Sequence, residues 1–211
     1  MSTKRLYKYM RKEHARLLLD RGRLRIGTLY EYRNAELHGS AIGDCDEGVK
    51  NLHLDGNGES WDASSIPAFA QTFFKLGPEA NLTLDGIRLV VPQQSNDYFL
   101  FCASTILDVT TMHKMGYDAC VVIEHPDRFV AAICHSFRHR GNFEGVHECH
   151  YGSRSIPYEQ DNGVHPALIK ELAYSYQKEV RALWRPLKAS PVPQILDCRK
   201  VTAWCSAGPG L

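Results

Sequence analysis

The sequence predicts an α+β fold: one domain with mixed or antiparallel sheets and about three or four helices. Three observations lead to this prediction. About seven or eight short runs have the two-residue period of a strand, and they only partly alternate with segments of helical period. The chain has no internal repeat or low-complexity linker. Its 211 residues are enough to form one sizeable core without disulfides or a metal.

The first elements follow one another closely. Residues 6–9 predict a strand, residues 13–20 have helical spacing and end at Gly22, and residues 24–28 alternate as a second strand. Residues 29–33 then combine aromatic and charged side chains, which is typical of a segment that lines a cleft. We therefore expect a strand, a helix, a turn and a strand, with a ligand-facing segment after them.

The rest of the chain divides into short elements separated by Gly, Pro, Asn and Asp. Strands are predicted for residues 87–91, 98–103, 119–123, 146–151 and 179–184, and residues 49–54 and 195–201 are further candidates for a strand. Helices are predicted for residues 108–115, for 126 onward to Gly141, and for 166–174. Residues 69–76 fit either a strand or a helix. We expect residues 1–205 to form the domain and residues 206–211 to be a flexible tail.

The amino-acid composition bears on the partners and the cellular compartment of the protein. With 25 basic and 24 acidic residues the formal net charge is +1, so charge alone indicates neither a nucleic acid nor a membrane surface as partner. The seven cysteines are odd in number and irregularly spaced, and the first residues lead into no signal-peptide-like run. We therefore expect a soluble cytoplasmic protein with reduced thiols and no membrane partner.

One predicted strand carries a candidate catalytic carboxylate. Val180, Ala182 and Trp184 alternate with Glu179, Arg181 and Leu183, which is the period of a half-buried strand. Glu179 and Arg181 should therefore leave the sheet on the same side. A carboxylate on a rigid strand can be held accurately enough for chemistry on a developing positive charge. The alternative is an exposed strand face that carries a charge pair.

Two other groups of side chains suggest binding sites. The histidines and cysteines of residues 134–150, namely Cys134, His135, His139, His147, Cys149 and His150, suggest zinc by composition but lack a Cys-x-x-Cys knuckle. The acidic tract Asp44, Asp46 and Glu47 does not complete a calcium loop, and a solvated acidic turn is the expectation for it. If it instead faces the cleft, it would lie near Tyr30, Tyr32 and Arg33, which suit a stacked ring beside a phosphate.

Three short motifs together resemble the ADP-ribosyltransferase superfamily. They are Leu6-Tyr-Lys-Tyr9 with the helix that ends at Gly22, then Phe101-Cys-Ala-Ser-Thr105, and finally Gln177-Lys-Glu-Val-Arg181. The chain also resembles a family of uncharacterised bacterial and phage domains, some near defence loci, that begin with a similar Leu-Tyr-Lys-Tyr strand. Two positions depart from the transferase pattern, because Lys8 stands in place of His or Arg and Tyr9 in place of a Gly.

The resemblance implies a function and a set of roles. It implies a transferase or glycohydrolase that uses NAD, in conflict between phage and bacterium, with a protein or nucleic acid as possible target. In the implied site Glu179 is the catalytic acid, Ser104 orients it, and Lys8 and Arg33 contact phosphates or ribose hydroxyls. Tyr30 or Tyr32 would stack on nicotinamide, and Tyr9 and Arg181 would help to bind the cofactor.

Two other functions stay open from the residues. One is a module without catalytic activity that binds a nucleotide-like molecule or a protein. The other is a metal-dependent hydrolase that uses the histidine and cysteine cluster.

Overall fold

A computed structural model describes residues 5–34, 36, 39 and 41–211. The strands are β1 (Leu6–Met10), β2 (Arg23–Thr28), β3 (Val49–Asp62), β4 (Asn81–Gln94), β5 (Phe99–Ser104), β6 (Ala119–Ile123), β7 (Gly141–Glu148), β8 (His150–Tyr151), β9 (Ser155–Pro157), β10 (Ile169–Lys170), β11 (Glu179–Pro186), β12 (Gln194–Asp197) and β13 (Cys205–Ala207). The α-helices with described bounds are α1 (Lys12–Arg21), α2 (Val109–Lys114) and α3 (Pro126–Phe137). Short 3₁₀ helices lie at Tyr30–Arg33, Ala70–Thr72, Tyr158–Gln160, Pro166–Leu168, Leu172–Gln177 and Arg199–Trp204.

The main sheet is built around β5. On one side β5 pairs along its whole length with antiparallel β11, which pairs in turn with β7. On the other side of β5, only Phe99 and Leu100 pair with β2, and only Ser104 pairs with β1. Residues 101–103 of β5 therefore face a gap between β1 and β2.

The outer strands extend the sheet in both directions. β1 continues through β6 to β13, and β2 is flanked by β12, all in antiparallel pairing. The two parallel pairs in the described residues are β3 with β9 and β8 with β10, outside the main sheet. The chain is therefore a single-domain α+β fold with mostly antiparallel sheets, as predicted.

The principal core lies between one face of the main sheet and helices α1 and α3. Phe101 and Trp184 from the sheet pack there with Leu18 of α1 and with Phe129 and Phe137 of α3, and all five side chains are buried. Strand alternation leaves Cys102, Ser104, Glu179 and Arg181 on the opposite face. That face carries the polar pocket described below.

The prediction that β11 is half-buried was wrong. Its first six residues, from Glu179 to Trp184, are all buried, so both faces of this strand are covered. The alternation itself was read correctly. The polar face is covered by residues 41–47, which are distant in sequence, and by residues 166–177, which precede the strand and are not part of its alternating pattern.

Other element predictions need correction. The supposed flexible tail forms β13 on β6, and Cys120 donates its backbone N–H to Pro209 O at 2.9 Å. The helix expected over residues 166–174 is instead two 3₁₀ turns on either side of β10. The undecided segment 69–76 contains a single 3₁₀ turn, Ala70–Thr72, which packs under the long β3–β4 hairpin.

Helix α1 ends where the sequence predicts. Gly22 adopts the left-handed conformation at φ 68°, and its N–H donates to Leu17 and Leu18 carbonyls. This conformation favours glycine because the residue has no Cβ. Within the described residues no helix is long and apolar enough to cross a membrane.

Candidate active site

A small pocket of about 60 Å³ lies on the polar face of the main sheet. Strands β1, β5 and β11 contribute its floor, and the 3₁₀ turn at Tyr30–Arg33 contributes one wall. Most of the residues proposed from sequence line it, namely Lys8, Tyr9, Tyr32, Ser104, Glu179 and Arg181. Tyr30 and Arg33 lie outside its lining. The three motifs of the sequence analysis therefore meet at one pocket.

Sheet register places Ser104 and Glu179 side by side. Glu179 lies directly opposite Ser104 in the β5–β11 pair, and Ser104 lies directly opposite Tyr7 in the β5–β1 pair. Directly opposed residues in an antiparallel pair point to the same face with their Cβ atoms about 5 Å apart. One row across three strands therefore brings together residues that are far apart in sequence.

The carboxylate of Glu179 is held between two cations. Lys170 Nζ donates to its Oε2 at 2.7 Å, and Arg181 Nε donates to its Oε1 at 2.7 Å. Burial alone would raise the pKa of Glu179, but the charges and hydrogen bonds of Arg181 and Lys170 outweigh burial and hold the pKa well below its usual range. The group is therefore an ionised and immobilised carboxylate.

Arg181 joins this carboxylate to a second one. Its terminal nitrogens donate to the two oxygens of Glu47 at 2.9 and 3.0 Å, and Nη1 also donates to Ala167 O at 2.5 Å. Arg181 and Glu47 are 2% and 1% exposed. The planar guanidinium can bridge two carboxylates in this way, whereas a lysine ammonium cannot offer the same fork.

Lys8 reaches the pocket through the gap in the sheet. It follows Tyr7 along β1, so its side chain starts on the opposite face, yet its Nζ donates to Cys102 O at 2.7 Å. Burial lowers the pKa of Lys8, and the nearby Cys102 and Glu179 only partly oppose that shift. The ammonium thus satisfies a carbonyl that the divergence of β1 and β2 leaves open.

Ser104 does not take the role expected for it. Its Oγ accepts the backbone N–H of Ile106 at 3.2 Å, which supports the turn after β5. The hydrogen bonds that orient Glu179 come instead from Lys170 and Arg181.

The tyrosines divide into two groups. Tyr9, Tyr32 and Tyr117 line the pocket, and burial raises the pKa of each phenol. Tyr30 and Arg33 instead pair with each other, with the guanidinium carbon 3.7 Å from the ring centroid. Arg33 Nε also donates to Glu47 O at 2.8 Å. Of the two rings expected to stack on nicotinamide, Tyr32 therefore lines the pocket and Tyr30 does not.

Residues 41–47 cover the pocket. Ile42 and Glu47 line it directly. Ala41 O accepts from Gln177 Nε2 at 2.8 Å and Tyr176 Oη at 3.1 Å, while Gly43 O accepts from Tyr174 Oη at 2.9 Å. We call residues 41–47 the cover segment.

The expectation of a solvated acidic turn in this segment was wrong for two of the three acids. Asp44 and Glu47 are buried, and Asp44 pairs with Arg154. Asp46 is exposed, as expected. Asp44 and Glu47 are buried because Arg154 and Arg181, more than a hundred residues away in sequence, pair with them. Local composition does not reveal such distant partners.

Sequence reasoning missed several pocket residues. Lys170, which donates a hydrogen bond to Gln177 at 2.6 Å, lies in residues 166–174, where an ordinary helix was expected, and Gln177 belonged to the third motif but was given no role. Cys102 lies between Lys8 and Glu179, and burial raises the pKa of its thiol well above its usual value. Strand alternation from Ser104 could have placed Cys102 on this face, but no local signal identified Lys170.

The histidine and cysteine cluster does not assemble. No three His, Cys, Asp or Glu side chains come close enough to hold a metal in the part of the chain that is described. Cys149 is buried, and burial raises its pKa to about 12, so its thiol is poorly suited to ligate. The geometry gives a metal-dependent hydrolase no support.

No protein family, curated protein or solved structure matches this chain. The resemblance to ADP-ribosyltransferases therefore stays a prediction from short motifs, and the site must be interpreted from its own chemistry.

Proposed function

We propose that this chain cleaves the nicotinamide–ribose bond of NAD at Glu179, and either transfers ADP-ribose to a protein or nucleic acid or releases it to water. The observation that carries the proposal is the ionised, doubly anchored carboxylate of Glu179 in a pocket lined by tyrosines.

The electrostatics suit this bond cleavage. When the C1′–N bond breaks, its electron pair passes to the nicotinamide nitrogen and positive charge develops on the ribose. A carboxylate that is already ionised and fixed can stabilise that charge without reorganising. Lys170 and Arg181 each donate one hydrogen bond to a different Glu179 oxygen, and a carboxylate has lone pairs beyond these two for a ribose hydroxyl.

The surrounding side chains suit the two ends of the substrate. Tyr9 provides aromatic surface for the nicotinamide ring. Lys8, from the same pocket wall, provides positive charge for a phosphate or a hydrogen bond for a ribose hydroxyl.

Access requires the cover segment to move. A volume of about 60 Å³ is far below the roughly 300–1,000 Å³ of small-molecule sites, so a dinucleotide needs Ile42 and Glu47 displaced. Loss of Glu47 would leave Arg181 with one carboxylate partner, and a substrate phosphate could then replace Glu47 on the guanidinium.

The test is nicotinamide release from NAD, measured with and without a cell lysate as a source of acceptors. Glu179→Gln should reduce the rate by about a hundredfold or more. Glu179→Asp retains the charge but withdraws it by one methylene, and should also lose most of the rate through misplacement. Glu144→Gln, which changes a surface ion pair with Arg185, is the matched control.

The circular dichroism spectrum and the melting temperature of each variant show whether a lost rate reflects the missing carboxylate or an unfolded chain. Wild-type protein that releases no nicotinamide under either condition would overturn the proposal. Release that is equally fast in folded Glu179→Gln would overturn the role of Glu179.

A second candidate is a binding module without catalytic activity. It is favoured by the fact that both carboxylate oxygens are already in ion pairs and that Ile42 and Glu47 of the cover segment leave a pocket of only about 60 Å³. Such a module should be thermally stabilised by a nucleotide in proportion to ln(1 + [L]/Kd) while releasing no nicotinamide. A role in conflict between phage and bacterium stays a prediction of the resemblance.

A further inference from the structure

A second and larger hollow lies in the gap between β1 and β2. Its volume is about 340 Å³, which is within the usual range for a small-molecule site. Met10, Leu17 and Leu24 form apolar walls, and Ile195 of edge strand β12 stands on its rim, 57% exposed. We call this hollow the slot. It shares Lys8 and Tyr9 with the pocket at Glu179.

The cations on the slot walls differ in how they are neutralised. Arg23 donates to both oxygens of Asp197, at 2.7 and 3.1 Å, and Arg25 donates to both oxygens of Glu31 at 2.7 Å. Lys8 instead donates to a backbone carbonyl, and its Nζ lies 4.9 Å from the centroid of Phe101. Among the described ion pairs, none includes Lys8.

A buried ammonium without a contacting anion is unfavourable, because the charge has lost its hydration and no opposite charge compensates for that loss. An anion entering the slot would therefore gain more at Lys8 than at either arginine, because both arginines already have a carboxylate. A phosphate fits this requirement, since its oxygens accept several charge-assisted hydrogen bonds.

The remaining walls favour a ring attached to that anion. Tyr32, Phe101 and Tyr117 provide aromatic surface beside Lys8. Bases stack on such side chains with little dependence on their identity. A ring joined to a single phosphate is the chemistry of a nucleoside monophosphate.

We propose that the slot binds a nucleoside monophosphate group, with the phosphate at Lys8 and the base against Tyr32 and Tyr117. The group is either a free nucleotide or one half of a dinucleotide. The proposal does not require that NAD is cleaved.

The test is calorimetric titration of the full chain with AMP, with adenosine and inorganic phosphate as partial ligands. AMP should bind, and each partial ligand should bind at least tenfold more weakly. Lys8→Met retains the aliphatic stem and should weaken AMP binding at least tenfold. Ile195→Trp adds bulk at the exposed rim and should also weaken binding, whereas Val192→Trp, at a similarly exposed position outside the slot, should not.

Absence of AMP binding, or wild-type binding of AMP by both Lys8→Met and Ile195→Trp, would overturn the proposal. Titration of Glu179→Gln with NAD identifies the source of the nucleotide. Ile195→Trp is then added to the Glu179→Gln variant. If this second change weakens the binding of NAD and the binding of AMP by the same factor, the slot takes half of a dinucleotide. If it weakens AMP alone, the ligand is a free nucleotide. Nicotinamide release is a separate measurement, so AMP binding without release would retain this inference while rejecting the proposed function.

Discussion

Glu179 lies directly opposite Ser104 across the β5–β11 pair, yet its carboxylate is held by Lys170 and Arg181 rather than by that serine. The strand register thus determines where the carboxylate is, and a separate buried ion-pair network determines its charge and orientation. The network continues through Arg181 to Glu47 in the cover segment. The Glu179 carboxylate and the cover segment are therefore linked through one guanidinium.

The buried Lys170–Glu179 pair should couple strongly. In a double-mutant cycle of Lys170→Met and Glu179→Gln, measured by urea unfolding, we expect a coupling free energy of about 2–3 kcal/mol. Each single change should cost about 3–5 kcal/mol, because it leaves buried charge uncompensated. The exposed Arg23–Asp197 pair is the control and should couple far more weakly, because solvent screens the two charges. Equal coupling in the two pairs would contradict the buried network.

Lys8 should make stability depend on alkaline pH. Because burial lowers its folded-state pKa below the ordinary 10.5, the unfolded chain binds more protons between the two values, and stability rises with pH in that window. The stability of Lys8→Met relative to wild type should therefore decrease as pH rises from 7 towards 10. Lys200→Met, at an exposed position, controls for the general loss of one positive charge. A relative stability that stays flat with pH would show that Lys8 is not desolvated.

The end of α1 should tolerate no side chain at Gly22. An added Cβ would lie 2.2 Å from Cys198 O, and the backbone there has φ +68°. Backbone strain and overpacking each contribute about 1–3 kcal/mol, so Gly22→Ala should cost roughly 2–6 kcal/mol in chemical unfolding. Gly58→Ala shares a positive φ of +85° but meets nothing within 4 Å, so it should cost only the backbone strain, about 1–2 kcal/mol. Similar losses in both variants would show that the β12 side of the helix end is not packed as described.

Loosening the cover segment should ease substrate entry. Tyr174→Phe with Tyr176→Phe removes hydrogen bonds to Gly43 O and Ala41 O, and each bond contributes about 0.5–1.5 kcal/mol to the closed form. The apparent affinity for NAD rises with the fraction of molecules in the open form, and the double variant increases that fraction. The KM for NAD should therefore fall several-fold with kcat retained. Tyr158→Phe, whose hydroxyl contacts exposed Glu159, should leave KM unchanged. An unchanged KM in the double variant would exclude the cover segment as a barrier.

What the sequence by itself determined is local. The two-residue period of residues 179–184 placed Glu179 and Arg181 on one face, and the apolar spacing before Gly22 defined α1 and its end. These features depend on strand alternation and on the backbone freedom of glycine, which act over a few residues.

Only the tertiary structure decided which distant groups surround that face. Lys170, Glu47 and Cys102 join Glu179 and Arg181 through sheet register and through the cover segment, and local pattern does not encode such contacts. The same long-range packing buried both faces of β11, which its alternation alone described as half-exposed. It also opened the slot, because β1 and β2 meet the same side of β5 at opposite ends and leave a gap that Lys8 only partly fills.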